Sequence, residues 1–242
     1  MLRMIDISGY NAQLDLATFD AEIVAIKATE GTGYESPAFQ HQWAKAKELG
    51  KARIAYHLNH PSISGVAQAR HFLNVVEQFG LEGDDCLAGD FEETDGMAPE
   101  AVAEESVKFR DWIQEQTHCK LICYTYLSFA ESGNCNGLGD NPLWIADPSR
   151  PPASPRVPLP WKDWAFHQYG IRRGVDADIA NFTSLDHLFQ FAVLPKPPEP
   201  EPNTREVYLT DGKAEHTTFV HESNLVPGFQ MTIGDAVFKI LR

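Results

Sequence analysis

Between residues 4 and 126 the chain alternates short, almost wholly apolar runs with longer stretches whose apolar residues recur at helical spacing. A run such as Ile23-Val24-Ala25-Ile26-Lys27 has no alternating polar face, which is the pattern of a strand covered on both sides. The stretch after it carries Phe39, Trp43, Ala46 and Leu49 near a 3.6-residue repeat, from Pro37 to a stop at Gly50. The same pairing recurs. Strands are expected at 4–8, 23–27, 53–57, 86–90 and 120–126, and helices at 37–50, 64–79 and 99–116, with residues 29–33 as a loop. Strands alternating with helices specify a parallel α/β fold.

Three further strand runs, 142–146, 164–169 and 176–179, lack full helices between them, and a closing helix is expected at 184–193. Eight strands in about 190 residues predict a closed barrel. In such barrels function collects at the C-terminal ends of the strands.

Residues 195–202, Pro-Lys-Pro-Pro-Glu-Pro-Glu-Pro, can be neither helix nor central strand. They read as a semi-rigid spacer, roughly 25 Å long at about 3.1 Å per residue. Beyond it, runs at 207–209, 218–220 and 236–240 predict a small β unit over 203–242, marginal as an independent fold. The domain reading is therefore a barrel over 1–194, a linker over 195–202 and a β module over 203–242.

The formal charge of −14 excludes a nucleic-acid polyanion as the partner and gives no attraction to an anionic membrane. No run reaches 18 apolar residues, so membrane insertion is not expected. The N-terminus lacks a basic segment followed by an apolar one, so no secretory signal is read there. Of the four cysteines, Cys86 and Cys123 sit in apolar runs and read as small buried residues. The Cys119–Cys123 spacing is neither a zinc knuckle nor a redox pair, and a disulfide is left open.

The densest chemistry lies at Leu87-Ala88-Gly89-Asp90-Phe91-Glu92-Glu93-Thr94-Asp95-Gly96. In an extended chain Asp90 and Glu92 share a face and Phe91 takes the other. Two adjacent like charges resist double ionisation, so one carboxyl keeps a proton near neutral pH and the other remains an anion. This is the equipment of glycoside hydrolysis. Glu92 is the expected general acid and Asp90 the stabilising anion, acting on a substrate acetamido group, as nucleophile, or on a water. Glu93 and Asp95 read as solvated. Other expected strands also end in reactive or aromatic side chains: Asp6, Lys27, His57, Tyr124, Trp144, Gln168 and Asp178. Tyr56, Tyr124, Trp144, Trp164 and Tyr169 are candidates to line a sugar groove, with Tyr124 and Trp144 foremost, since flat rings cover the apolar faces of pyranoses. Lys27 is placed either on the glycan or against an acid. His57 and His60, three apart at a strand end, diverge onto opposite faces, so metal catalysis is not expected. The chain holds no H-E-x-x-H, G-x-S-x-G, P-loop or G-x-G-x-x-G.

Seven motifs in order carry a resemblance: Asp6-Ile7-Ser8-Gly9-Tyr10-Asn11, Ile26-Lys27-Ala28-Thr29-Glu30-Gly31, Ala55-Tyr56-His57, Asp90-Phe91-Glu92, Leu143-Trp144-Ile145-Ala146, Trp164-Ala165-Phe166-His167-Gln168-Tyr169 and Asp178-Ile179-Ala180-Asn181-Phe182. Over residues 1 to about 192 the chain resembles the glycoside hydrolase family 25 lysozymes, the muramidases of many phage endolysins, bacteria and fungi. The resemblance implies a (β/α)5(β)3 barrel that hydrolyses the β-1,4 bond between N-acetylmuramic acid and N-acetylglucosamine, without metal or organic cofactor. It implies that Asp6 and Asp178 hold the sugar and tune the central pair, alongside Asp90 and Glu92. It further implies bacterial peptidoglycan as partner, and a phage endolysin made in a host cytoplasm and acting on the wall after release. Two departures stand out. Ala180 occupies a place where the family often has Asn, and Asp176 would share a face with Asp178. Asp147-Pro148 is also unusual, so rim contacts are expected to differ. Other readings of the same barrel are an N-acetylglucosaminidase or chitinase-type hydrolase and a non-catalytic glycan-binding or virion protein. The tail is read as a wall-binding module or as a surface for self-association.

Overall fold

The computed structural model describes residues 1–193 in full and, beyond them, the backbone of four strands. The chain divides into two units, Met1–Pro195 and Lys196–Arg242. In the first, strands β1 (Leu2–Ile7), β2 (Ile23–Glu30), β4 (Ala52–Leu58), β5 (Cys86–Asp90), β6 (Ile122–Tyr126), β7 (Leu143–Ala146), β8 (Phe166–Arg172) and β9 (Val175–Ala180) pair in that order, and β9 returns to β1. The result is a closed barrel. Seven strands run parallel; β9 is antiparallel to both β8 and β1. The two-residue β3 (Tyr34–Glu35) hooks back onto the end of β2, so the expected loop at 29–33 is a tight hairpin.

Helices α1 (Phe39–Glu48), α2 (Gly65–Gln78) and α3 (Pro99–Thr117) cover the strands where the spacing predicts them. After β6 a single helical turn, α4 (Leu127–Phe129), runs on into a wide turn over Ala130–Asn134. Helix α5 (Leu185–Ala192) closes the unit. Two short 3₁₀ turns, and no α-helix, join β1 to β2.

Alternation along each strand separates two cores. Outward residues such as Ile26, Ala55, Leu87 and Cys123 pack against Phe39, Trp43, Phe72 and Phe109 of the helices. Inward residues Met4, Ile23, Ala25, Ile54, Ala88, Ile122, Trp144, Phe166 and Ala180 fill the barrel. One layer further toward the strand C-termini the inward positions turn polar, and that layer is the candidate site. At the other end, Arg53 grips Asp85 through two bonds of 2.7 and 2.6 Å beneath Trp43.

All four cysteines are free, with Cys86, Cys123 and Cys135 buried. The second unit contains two antiparallel pairs: β10 (Thr204–Thr210) with β11 (Glu215–His221), and β12 (Gln230–Ile233) with β13 (Ala236–Lys239). The expected strands at 207–209, 218–220 and 236–240 fall on or against β10, β11 and β13. The spacer at 195–202 lies outside the described residues, apart from the unit boundary at Pro195.

Candidate active site

A pocket of about 200 Å³ opens at the C-terminal mouth of the barrel, lined by Asp6, Tyr56, Asp90, Glu92, Tyr124, Trp144, Gln168 and Asp176. Its floor is the Trp144 indole, 2% exposed. The Tyr124 ring meets it edge-on at 4.9 Å and the Tyr56 ring at 6.3 Å. A hydrogen-bond chain crosses the pocket: the Tyr124 hydroxyl donates to Gln168 Oε1 at 3.0 Å, and Gln168 Nε2 donates to Asp6 Oδ2 at 2.9 Å.

Strand β5 ends at Asp90, as expected, and Glu92 stands two residues beyond it. Phe91 turns outward and packs edge-on against Phe109 of α3. Asp90 is buried, and its Oδ1 has no hydrogen-bond partner in the protein. Burial, then the Glu92 charge, pushes its pKa well above the carboxylate range, against the pull of Lys27. Burial and the Glu93 charge raise Glu92 as well, again opposed by Lys27. Desolvation therefore outweighs the neighbouring carboxylate as the cause, in contrast to the sequence expectation. Asp90 also holds a proton more firmly than an isolated anion would.

Burial and the Asp176 charge raise Asp6 to about 6, while hydrogen bonds to Gln168 and Asp178 pull it down. Asp178 does not line the pocket. It lies below, 1% exposed, with Oδ1 accepting the Trp144 Nε1–H bond at 2.8 Å. The direction of β9 explains this. An antiparallel strand enters at the mouth, so Asp176, paired with Asp6, is uppermost and Asp178, paired with Met4, is one layer down. The same direction puts Ala180 at the base of the barrel, paired with Leu2 and Phe166. The departure at that position never reaches the pocket.

Lys27 does not line the pocket either; its ammonium lies 2.6 Å from Glu30 Oε2. A bulge after Lys27 puts Thr29 beside His57 on the outer face. His57 Nδ1 sits 2.7 Å from Thr29 Oγ1, and its ring stacks on Phe109 at 5.0 Å. Burial lowers its pKa to about 3, so it is a neutral core residue. Trp164 lies at the opposite end of the barrel, before β8, and Tyr169 lies outside the pocket beside Arg172. Asp147 is buried and holds Arg156 through two bonds of 2.9 and 2.7 Å, fixing the β7–β8 loop. Asp95 is exposed, and its carboxylate is bound by His60 and Ser62. Among the described residues no group of three or more His, Cys, Asp or Glu side chains is arranged to hold a metal ion.

The family model for glycosyl hydrolases family 25 matches residues 5–176. The chain belongs to this family. Over 210 residues it is 30% identical to an N,O-diacetylmuramidase of Arthroderma benhamiae, covering 77% of this chain and 85% of that protein. It is 28% identical to the uncharacterized protein YegX of Escherichia coli K12 over 155 residues, 64% of this chain and 56% of YegX. The chain thus spans little more than half the length of that relative. The structure of a muramidase from Acremonium alcalophilum superposes with a TM-score of 0.68 at 28% identity, covering 79% of this chain and 98% of that one. The matched segment of this family 25 barrel contains Asp6, Tyr56, Asp90, Glu92, Tyr124, Trp144, Gln168 and Asp176, and it ends before Asp178.

Proposed function

We propose that this family 25 barrel is a peptidoglycan hydrolase that cuts the β-1,4 bond from N-acetylmuramic acid to N-acetylglucosamine. The observation that carries the reading is the placement of Asp90 and Glu92 on one aromatic-floored pocket, both with raised pKa values. Glu92, the more exposed of the two, donates its proton to the glycosidic oxygen as that bond breaks. The proton-free form of Asp90 accepts the N–H of the sugar's 2-acetamido group, whose carbonyl oxygen bonds to the anomeric carbon. Water then opens that ring and returns a proton to Glu92. Asp90 lines the pocket and its buried Oδ1 has no donor from the protein, so no protein group competes for its charge, which supports this assignment. Tyr56, Tyr124 and Trp144 supply the apolar platform for the ring. Asp6 and Gln168 supply polar contacts, Asp178 supports the floor from beneath, and Lys27 tunes the pair by its charge.

The chain acts on the bacterial wall as a phage endolysin in this reading. The Pro-rich spacer and second unit support a wall-binding module better than a self-associating one, and deleting residues 195–242 tests this by wall pull-down and by mass in solution. For the chemistry, Glu92→Gln is expected to lower wall digestion by about 10²- to 10⁴-fold with the fold intact. Full activity in that variant would refute the assignment.

A further inference from the structure

Three loops meet beside the pocket. Glu30 ends β2, His60 lies two residues beyond β4, and Asp95 lies in the turn between β5 and α3, three residues past Glu92. His60 Nδ1 is 2.9 Å from Asp95 Oδ1, and Nε2 is 3.2 Å from Glu30 Oε1. An imidazole can donate from both nitrogens only as the imidazolium. The other Asp95 oxygen accepts the Ser62 backbone N–H at 3.0 Å and the Ser62 hydroxyl at 2.7 Å. The other Glu30 oxygen takes Lys27 at 2.6 Å. Both oxygens of each carboxylate therefore have a partner, in the row Lys27, Glu30, His60, Asp95, Ser62.

We propose that His60 is a positioning residue: as a cation it ties Asp95 to Glu30, and thereby holds the turn that carries Glu92 over the pocket. The consequence for turnover rests on the hydrolase reading; the clamp itself does not. Asp95 has φ of 48°, a left-handed conformation that a residue with a side chain adopts at a cost and keeps only where its surroundings impose it. The three bonds to its carboxylate supply that constraint. Thr94 completes the turn by accepting from Met97 N at 2.8 Å and from Gly96 N at 3.2 Å. At Gly31, with φ of 53°, a Cβ would press on Ile63 at 3.2 Å and meet the His60 ring only at ordinary contact distance, 3.7 Å.

The titratable groups that face His60 are Glu30 from β2, with Lys27 beyond it, and Asp95 from the turn; His57, held neutral on β4, lies behind. Burial opposes the charge on His60, but the bonds to Asp95 and Glu30 outweigh it and its pKa is raised. Burial likewise opposes the charges of Asp95 and Glu30, and the bonds to His60, Ser62 and Lys27 lower both. A raised His contributes its stabilisation below its ordinary pKa and loses it as pH rises through the folded value. The two lowered carboxylates lose theirs as pH falls through their folded values. The clamp is thus closed in weak acid and opens on the alkaline side, where Glu30 and Asp95 face each other without the cation.

The test is a pH titration of the isotope-labelled full chain by NMR, following the His60 ring and the amides of Glu93 and Gly96. The clamp predicts a His60 midpoint above the ordinary histidine value, with both amides moving at that same midpoint. In Asp95→Asn the midpoint falls and the amides cease to follow it. On wall substrate, Asp95→Asn lowers kcat several-fold with KM little changed, and His60→Lys, a fixed cation, keeps more activity at alkaline pH than His60→Gln. A His60 midpoint at or below the ordinary value, or amides indifferent to it, overturns the clamp. Wild-type kcat in Asp95→Asn overturns its role in turnover. The resonances decide the clamp even if the wild-type chain digests no wall, an outcome that would count against the hydrolase reading alone.

Discussion

Gln168 Nε2 donates to Asp6 Oδ2 at 2.9 Å, joining side chains 162 positions apart in the chain at the mouth of one pocket. The same amide accepts from Tyr124, so one uncharged residue sets both an acid and an aromatic platform. Gln168→Leu removes the donor that pulls Asp6 down and leaves the Tyr124 hydroxyl without its acceptor. The Asp6 pKa is then expected to rise beyond its value of about 6, and stability to fall by about 1–3 kcal/mol. Carboxyl titration by NMR and thermal unfolding check both; an unchanged Asp6 midpoint would show that the bond does not tune it.

Asp90 is stabilised by little that the protein itself provides. A carboxyl whose folded pKa lies above its unfolded value binds protons better when folded, so it costs stability as pH rises through that interval. Asp90→Asn removes this cost. At pH 7 the variant is expected to be more stable by on the order of 1 kcal/mol, a rise of roughly 2–4 °C in Tm, while digestion is lost. A Tm below wild type would contradict the burial argument.

Gly89 fixes the spacing of the two acids from behind. A Cβ at this position would fall 2.5 Å from Cζ of Phe91 and 3.3 Å from Leu121. The Phe91 ring cannot retreat freely, being buried against Phe109. Gly89→Ala is expected to cost about 1–3 kcal/mol through overpacking and to shift the backbone between Asp90 and Glu92. A displacement near 1 Å is enough to lower kcat by about 10²-fold. Adding Phe91→Leu should recover part of both losses; no recovery would place the cause elsewhere.

The acid side of the stability profile belongs in part to His57. Its folded pKa of about 3 lies below the ordinary histidine value. As pH falls below about 6.5 the unfolded chain takes up a proton that the folded chain refuses, and stability drops by up to about 1.4 kcal/mol per pH unit. Asp6, raised to about 6, acts in the opposite sense over part of that range. His57→Gln is expected to flatten the decline between pH 6.5 and 4, measured by denaturant unfolding. An equal slope in both proteins would remove His57 from the account.

The barrel could be read from the sequence because its strands are buried on both faces and its helices carry a clear stripe, as at Ile23–Glu30 and Phe39–Glu48. Asp6, Asp90 and Glu92 were legible because parallel strands deliver their last residues to one mouth. The order of Asp176 above Asp178 was not legible because strand direction leaves no local signature, and only the antiparallel pairing of β9 sets it. The contacts that join Glu30, His60 and Asp95 were not legible because they span 30 and 35 positions, and each residue alone resembles a solvated rim residue. The bulge that turns Thr29 toward His57 was equally silent, since nothing in Lys27-Ala28-Thr29 marks the change of face.

The central claim is a bond cut by the Asp90 and Glu92 pair, and the most direct measurement is mass spectrometry of purified peptidoglycan after digestion, with borohydride reduction to mark the new end. The account predicts fragments ending in reduced muramic acid from the wild-type chain and none from Glu92→Gln. Fragments ending in reduced glucosamine, or no fragments from several wall types, would contradict it.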